Sequence, residues 1–279
     1  MKALPPNDSS ERDAPILDVR PEAAFQSCHR MGAANIPLEE LAARIHELPS
    51  PYVGVVIFDD DPLRAESARN ELASRNRSVT NVVSGADWLV TGQTETGPSV
   101  GRLWKPHDWT MKAVGIAKNQ WDGLTGRTAL DVACGTGRDA VFLAMQGMSV
   151  EAWDVLPDAI HRLNDLAERN GVSVQASIRD VEKCPEIDEA IYDWVCCFNF
   201  LHRPLMPMLA RAIRPGGYLV YETFVDPQRE MFGKPSRESH VLRVGELPTW
   251  FTDYDVIDYR ERLAAPRRQV ASLIARRRT

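Results

Sequence analysis

A glycine-rich segment in the second half of the chain has the residue types that bind a nucleotide-like cofactor. Residues 130–139, LDVACGTGRD, run from an apolar stretch through Gly135 and Gly137 into a helix-forming stretch. Glycine permits backbone angles and close approaches that a β-carbon would forbid, and the helix N-terminus offers unpaired N–H groups. The pattern therefore predicts a tight turn that places the backbone against a ligand.

The glycine spacing is not specific to one ligand. The spacing of Gly135, Gly137 and Ala140 also matches a dinucleotide-binding turn, and Asp154 lies near the expected position of a ribose-binding carboxylate. NAD is therefore one alternative, and a purely structural turn without a ligand is another.

Polar residues that follow two later apolar stretches are candidates for acting on a substrate. They lie in 199–204, NFLHRP, and 222–224, ETF. The carboxyl ends of strands in open α/β sheets face the ligand crevice. His202 or Glu222 can act as a general base where the substrate must lose a proton, and Arg203 can receive an anionic group. The alternatives are a capping histidine, a solvated arginine and a structural carboxylate.

The chain around these residues alternates apolar strands with helices, which predicts an α/β fold with a mostly parallel sheet covered on both faces. The last two strands are joined by a connection so short that they must pair antiparallel. The predicted strands are 128–133, 149–154, 172–180, 192–200, 218–224, 255–263 and 269–277, and the predicted helices are 138–147, 158–171 and 204–217.

A smaller α/β unit is predicted upstream. Its strands are 15–19, 53–58 and 79–83, with helical spacing over 38–48 and 64–73. Residues 93–106 are rich in Gly, Thr, Ser and Pro and show no periodicity, which indicates a linker. The predicted organisation is therefore a first domain over 1–92, a linker over 93–106 and a second domain over 107–279.

The second domain resembles the class I S-adenosylmethionine-dependent methyltransferases. LDVACGTG resembles their first motif, with Ala133 in place of a common glycine. EAWD and RDVE end the next two strands in Asp154 and Asp180, RPGGYLVYET leads into the fifth strand, and GTGRDA resembles the tellurite-resistance and thiol methyltransferase branch. The resemblance implies a Rossmann-like fold, S-adenosylmethionine (SAM) as cofactor, and methyl transfer to a small thiol, chalcogen oxyanion or carboxylate.

The same resemblance implies individual contacts to SAM. Asp131 and the backbone of 135–137 would hold the methionine end, and Asp154 would accept hydrogen bonds from both ribose hydroxyls. Asp180, with the N–H of Val181, would reach the adenine amino group. A strand-end or capping role is the alternative for each aspartate. The full implied set is Asp131, Ala133, Cys134, Gly135, Thr136, Gly137, Asp154, Val155, Asp180, Val181 and Asn199.

Residues 16–37, ILDVRPEAAFQSCHRMGAANIP, resemble the opening of the rhodanese family. An active rhodanese has a cysteine at the end of the next strand, where this chain has Asp59, while Arg64 retains the basic end of the loop. A carboxylate cannot form a persulfide. The resemblance thus implies a domain without sulfur-transfer activity, used for docking a protein partner, self-association or substrate presentation.

Composition limits the remaining functions. The net charge of −6 argues against tight nucleic-acid binding, and the chain has no apolar run of membrane length. Its five cysteines include no Cys-x-x-Cys pair, so we expect reduced thiols and no bound metal. The first residues, MKALPPNDSSERDAP, include no apolar stretch, so we expect a cytoplasmic protein.

The favoured interpretation is a methyltransferase that acts on a small molecule. The alternative is a non-catalytic SAM-binding or regulatory protein that docks through its first domain. An NAD-dependent oxidoreductase is disfavoured by the Cys-Gly-Thr-Gly and Pro-Gly-Gly segments and by the terminal antiparallel pair.

Overall fold

The computed structural model describes residues 14–85, 87–264 and 267–279 and divides the chain into two units, Met1–Lys105 and Pro106–Thr279. Among the described residues, every helix is too short or too polar to cross a membrane. The two units are described separately below.

The N-terminal unit is built on a parallel sheet with the strand order β3-β1-β4-β5. The predicted strands at 15–19, 53–58 and 79–83 are present as β1, β4 and β5. Leu17, Ile57 and Leu72 are fully buried in its core. The strands are β1 (Ile16–Asp18), β2 (His29–Arg30), β3 (Ala34–Asn35), β4 (Val55–Asp59), β5 (Val79–Ser84) and β6 (Thr94–Glu95), and the helices are α1 (Glu22–Ser27), α2 (Leu38–Leu41), α3 (Pro62–Ser74) and α4 (Asp87–Val90), with a 3₁₀ turn at Ile45–Glu47.

The segment predicted as a linker, 93–106, differs from that prediction because it contacts the N-terminal unit as far as Leu103. Strand β6 pairs antiparallel with β2. The Ser99 hydroxyl donates to the carbonyl of Ala33 at 3.4 Å, and Leu103 is buried in the core. A β-carbon on Gly101 would lie 2.5 Å from the Ala33 carbonyl oxygen. The small and polar residues that indicated a linker therefore permit close backbone packing.

The C-terminal unit contains a larger sheet with the order β12-β13-β11-β10-β7-β8-β9. Strands β7 to β11 run parallel, while β13 pairs antiparallel with both β11 and β12. The predicted α/β fold, mostly parallel with a terminal antiparallel pair, is confirmed. The strands are β7 (Thr128–Val132), β8 (Ser149–Asp154), β9 (Gln175–Ile178), β10 (Tyr192–Phe198), β11 (Ile213–Phe224), β12 (Tyr254–Ala264) and β13 (Arg268–Arg277).

Helices cover both faces of this sheet. One core includes Ala113, Leu143 and Leu163, and the core on the other face includes Met206 and Phe251. The helices are α5 (Asp108–Gln120), α6 (Arg138–Met145), α7 (Pro157–Arg169), α8 (Met206–Ala212) and α9 (Gln228–Phe232), with 3₁₀ turns at Arg203–Leu205, Glu238–His240 and Leu247–Trp250.

The helix predicted over 204–217 is shorter than expected. Strand β11 already begins at Ile213, which pairs with Tyr192 of β10. Gly216 has a φ of +80°, and a β-carbon on Gly217 would lie 2.7 Å from the Asp193 carbonyl. The two glycines therefore let an irregular start of β11 approach β10, a tertiary constraint that outweighs the helical pattern.

Candidate cofactor and acceptor site

The glycine loop turns sharply between β7 and α6, as predicted. Ala133, Gly135 and Gly137 all have positive φ, at +54°, +55° and +75°. For Ala133 this conformation costs about 1–2 kcal/mol. The N–H of Cys134 donates to the Trp153 carbonyl at 3.0 Å, which ties the loop to β8. Nothing lies within 4 Å of the position a β-carbon on Gly135 would take, so the backbone there borders open space.

Asp154 ends β8 directly against this loop. Its Oδ2 accepts from the N–H of Gly135 at 2.8 Å, and its Oδ1 accepts from the N–H of Leu156 at 2.9 Å. Each carboxylate oxygen can accept a second hydrogen bond. The next side chains, Val155 and Leu156, are 52% and 60% exposed. This edge thus combines an acceptor for hydroxyl groups with an apolar surface that a flat ring can cover.

Asp131 lies below the loop, where its carboxyl accepts from the N–H of Ala140 in α6 at 3.1 Å. Burial, and next the charge of Asp139, raise the pKa of Asp131 well above its usual range. Burial also raises the pKa of the Cys134 thiol far above its usual value, so Cys134 remains protonated. The hydrogen bond to Asp131 therefore connects β7 to α6. Because its thiol is protonated, Cys134 is not a thiolate nucleophile. Thr136 is partly buried within the same loop.

Asp180 makes local contacts beyond the end of β9. Its Oδ1 accepts from the N–H groups of Glu182 and Lys183, each at 3.2 Å, and its Oδ2 lies 2.9 Å from Lys183 Nζ. The hydrogen bond from Lys183 lowers the pKa of Asp180. Val181 is buried. These contacts match the capping role that was the alternative for Asp180.

Glu222, in β11, is a buried carboxylate held by four side chains. Oε1 accepts from His107 Nε2 and Arg268 Nη2, both at 3.1 Å. Oε2 accepts from Ser272 Oγ at 2.6 Å and from Arg262 Nη2 at 3.1 Å. Burial favours a higher pKa, but the hydrogen bond and positive charge of His107, the hydrogen bond from Ser272 and the charge of Arg268 outweigh it and lower the pKa of Glu222 to about 2. At neutral pH Glu222 is therefore ionised and paired with these four side chains, which differs from its predicted role as a general base.

His107 connects this carboxylate to the cofactor loop and was not predicted from the sequence. Its backbone N–H donates to Asp139 Oδ1 at 2.9 Å, and its Nδ1 accepts from the N–H of Trp109 at 3.3 Å. In the neutral imidazole, that acceptor role places the proton on Nε2, which faces Glu222. The ring stacks on Phe198 with centroids 4.1 Å apart. The sequence signal for His107 is a capping position at the start of α5, which says nothing about Glu222.

Arg203, predicted to receive an anionic group, has a different role. Its Nε and Nη2 donate to the two carboxylate oxygens of Glu246 at 2.7 and 2.8 Å. Its Nη1 and Nη2 donate to the carbonyls of Ser239 and Val241 at 3.0 and 2.9 Å. This bidentate ion pair neutralises the charge of the guanidinium. With the two carbonyl contacts, it holds the segment between β11 and β12 against the 3₁₀ turn that follows β10.

Asn199 and His202 follow β10. Asn199 has a φ of +58°, its N–H donates to the Glu222 carbonyl at 2.8 Å, and its side-chain oxygen accepts from Arg268. His202 is partly buried and lines a cavity together with Arg203 and Arg237. The structure therefore brings Asn199 into the Glu222 cluster and leaves His202 as the remaining candidate base. Within the described ranges, no three His, Cys, Asp or Glu side chains are grouped to hold a metal.

The strand order and the loop at the end of β7 define the class I methyltransferase fold. The crystal structure of TehB from Haemophilus influenzae shares it, with a TM-score of 0.50 and 21% identity over 62% of this chain and 63% of that chain. A family model described as tellurite resistance protein TehB matches residues 113–271, more than half of the chain. The chain belongs to this family.

Sequence relatives agree with this assignment. A probable SAM-dependent methyltransferase TehB from Haemophilus influenzae is 25% identical over 141 residues, which are 48% of each chain. A ubiquinone biosynthesis O-methyltransferase from Pectobacterium atrosepticum is 29% identical over 115 residues, 39% of this chain and 48% of the relative. The chain spans about half the length of the curated relatives it matches. The span matched by the family model, residues 113–271, lies within the unit Pro106–Thr279 and belongs to the SAM-dependent methyltransferases, which implies SAM as the cofactor.

Replacing Asp154 with alanine is expected to weaken SAM binding by about 1–3 kcal/mol, because the ribose hydroxyls lose a charged acceptor. Calorimetric titration measures this loss. Asp158→Ala is the matched control, because Asp158 is exposed on α7 and pairs with Arg162 at 3.0 Å. Equal affinity in wild type and Asp154→Ala would remove Asp154 from the ribose site.

Two glycine substitutions separate packing from ligand contact. A β-carbon on Gly137 would lie 2.2 Å from Leu163 Cγ, so Gly137→Ala should lower the free energy of unfolding by about 2–4 kcal/mol. Gly135→Ala has strain but no clash and should lose only about 1–2 kcal/mol, while weakening SAM binding. Urea unfolding measures the stability of both variants, and calorimetric titration measures their affinity for SAM. Equal destabilisation by both variants contradicts the packing argument.

The low pKa of Glu222 predicts a pH-dependent contribution to stability. Since the folded value of about 2 lies below the ordinary 4.5, ionised Glu222 stabilises the fold above pH 4.5, and this contribution is lost as pH falls towards 2. The difference in unfolding free energy between wild type and Glu222→Gln should therefore shrink on acidification. Urea unfolding between pH 3 and 7 tests this, with Glu230→Gln as an exposed control. A difference that is independent of pH would refute it.

Proposed function

We propose that this protein transfers the methyl group of SAM to a small molecule that reacts as an anion: a thiolate, a chalcogen oxyanion or a carboxylate. The observation that carries the proposal is the cluster of Glu222, Arg262, Arg268 and Asn199 at the carboxyl ends of β10 and β11. This edge of the sheet also carries the glycine loop at the end of β7. Ligands of open α/β sheets bind in this crevice.

The cofactor side has groups that fit SAM. Asp154 has spare lone pairs for the ribose hydroxyls, and the open backbone at Gly135 can border the methionine end. Val155 and Val181 supply apolar contacts for the adenine, whereas Asp180 is engaged by Lys183. When bound, SAM supplies an electrophilic methyl group on a sulfonium. The residues on this side need only fix its orientation.

The acceptor side favours a nucleophile that is already anionic. Methyl transfer is an in-line displacement that depends on alignment, and an anionic nucleophile needs no general base. Glu222 is ionised and bonded through both oxygens, so it is not a proton acceptor at neutral pH. Arg262 and Arg268 bring two positive charges to this one carboxylate. Their excess charge favours an anion between the β12–β13 hairpin and Asn199.

For the N-terminal unit we propose a rhodanese-like domain without sulfur transfer, which docks a protein partner, self-associates or presents substrate. Its parallel sheet and the loop after β4 support this. Asp59, at the end of β4, is buried and accepts from the N–H of Asp61 at 2.9 Å and from Arg64 Nε at 3.0 Å. The hydrogen-bond donors of this loop, the N–H of Asp61 and Nε of Arg64, are thus already bonded to Asp59, although an anionic sulfur group would need them.

Methyl transfer can be tested with radiolabelled SAM and a panel of thiols, selenite, tellurite and small carboxylates. We expect label in at least one of these acceptor classes, and we expect Asp154→Ala to reduce the rate while Asp158→Ala does not. SAM binding without transfer to any acceptor would favour the non-catalytic, regulatory alternative. Failure to bind SAM would contradict the proposal entirely.

A further inference from the structure

A cavity of about 350 Å³ opens beyond the carboxyl end of β10. Three stretches form its walls: residues 201–204 after β10, Glu182 after β9, and residues at the 3₁₀ turn Glu238–His240. Small-molecule sites commonly measure about 300–1,000 Å³. The cavity therefore has room for a small organic molecule. Its lining residues are Glu182, Leu201, His202, Arg203, Pro204, Arg237, Ser239 and His240.

The lining is rich in basic groups although the chain as a whole is acidic. Four of the lining side chains are arginine or histidine, and Glu182 supplies the carboxylate. Arg203 is neutralised by Glu246, as described above. In the part of the chain that the structure describes, the Arg237 guanidinium pairs with no carboxylate. The adjacent Glu238 lies 3.7 Å from Arg229 instead. Arg237 thus keeps its charge for a ligand, with His240 beside it.

The cavity also has an apolar side, formed by Leu201 and Pro204. An inorganic oxyanion would meet the basic groups but leave much of this volume and the apolar side unfilled. A carbon skeleton that carries a carboxylate or phosphate satisfies both, because such sites combine apolar walls with a few polar anchors. The lining therefore favours an organic anion.

The cavity adjoins, in sequence, the cluster of Glu222, Arg262, Arg268 and Asn199, which we call the acceptor cluster. Leu201 follows Asn199 by two residues, so their Cα atoms are at most about 7 Å apart. Asn199 in turn is bonded to Arg268 and to the backbone of Glu222. A molecule anchored in the cavity can therefore extend its other end to the carboxyl end of β10.

We infer that this cavity binds a carboxylate or phosphate group of an organic methyl acceptor. Arg237 and His240 hold the anionic group, Arg203 forms a fixed wall, and the reacting atom lies towards Asn199. The inference rests on the proposed methyl transfer and narrows its acceptor. It favours an organic thiol or carboxylate with a second anionic group over an inorganic chalcogen oxyanion.

Binding of three probes tests this inference: phenyl phosphate, benzoate and inorganic phosphate, each titrated calorimetrically into the full-length protein with and without S-adenosylhomocysteine. At least one organic probe should bind. Arg237→Gln should weaken that binding about tenfold, the loss of one charge-assisted hydrogen bond. His240→Gln should weaken it less. Arg243→Gln is the matched control, because Arg243 is exposed on the same segment and does not line the cavity.

The outcomes separate this inference from the proposed function. Failure of S-adenosylhomocysteine to bind would count against methyl transfer, while the probe titrations without it still report on the cavity. Binding of S-adenosylhomocysteine, with organic probes that do not bind or bind equally to wild type and Arg237→Gln, would overturn the cavity assignment alone. Inorganic phosphate that binds as tightly as phenyl phosphate would also overturn it, because the site would then take free anions.

Discussion

The buried, ionised carboxylate of Glu222 is the constraint on which the acceptor side depends. An unpaired buried charge costs several kcal/mol, so this carboxylate requires its partners to be in place. Ser272 lies directly opposite Glu222 in the β11–β13 ladder. Arg262 and Arg268 come from the two strands of the β12–β13 hairpin. The antiparallel pair thus supplies the charges and hydrogen bonds that stabilise a buried carboxylate near the end of β11.

His107 extends the same network to the cofactor side. Its ring bonds to Glu222, while its backbone bonds to Asp139 in the first turn of α6, immediately after the glycine loop. Thr110, one turn further along α5, also donates to Asp139, at 2.5 Å. The start of α5 therefore joins the glycine loop and the acceptor cluster in one set of hydrogen bonds.

Much of the fold, and the positions of the glycine loop and Asp154 within it, could be predicted because their signals are local. Alternating apolar segments indicate the sheet, and the loop and Asp154 lie at strand ends that sequence patterns identify. The partners of Glu222 could not be predicted, because they are brought together by strand pairing over long separations in sequence. The position of Arg203 after a strand predicts a role in receiving an anionic group, because its partner Glu246 is distant in sequence. The composition of 93–106 indicates a linker, although this segment contacts the N-terminal unit as far as Leu103. The partners of Glu222 lie 115, 40, 46 and 50 residues away, at His107, Arg262, Arg268 and Ser272.

A crystal structure of the complex with S-adenosylhomocysteine tests the central claim most directly, because it locates both halves of the crevice in one measurement. The account predicts that the ribose hydroxyls bond to Asp154, that the methionine portion follows the backbone at 135–137, and that the sulfur faces Asn199 and the Glu222 cluster. A ligand whose ribose lies away from Asp154, or whose sulfur faces away from that cluster, would contradict it.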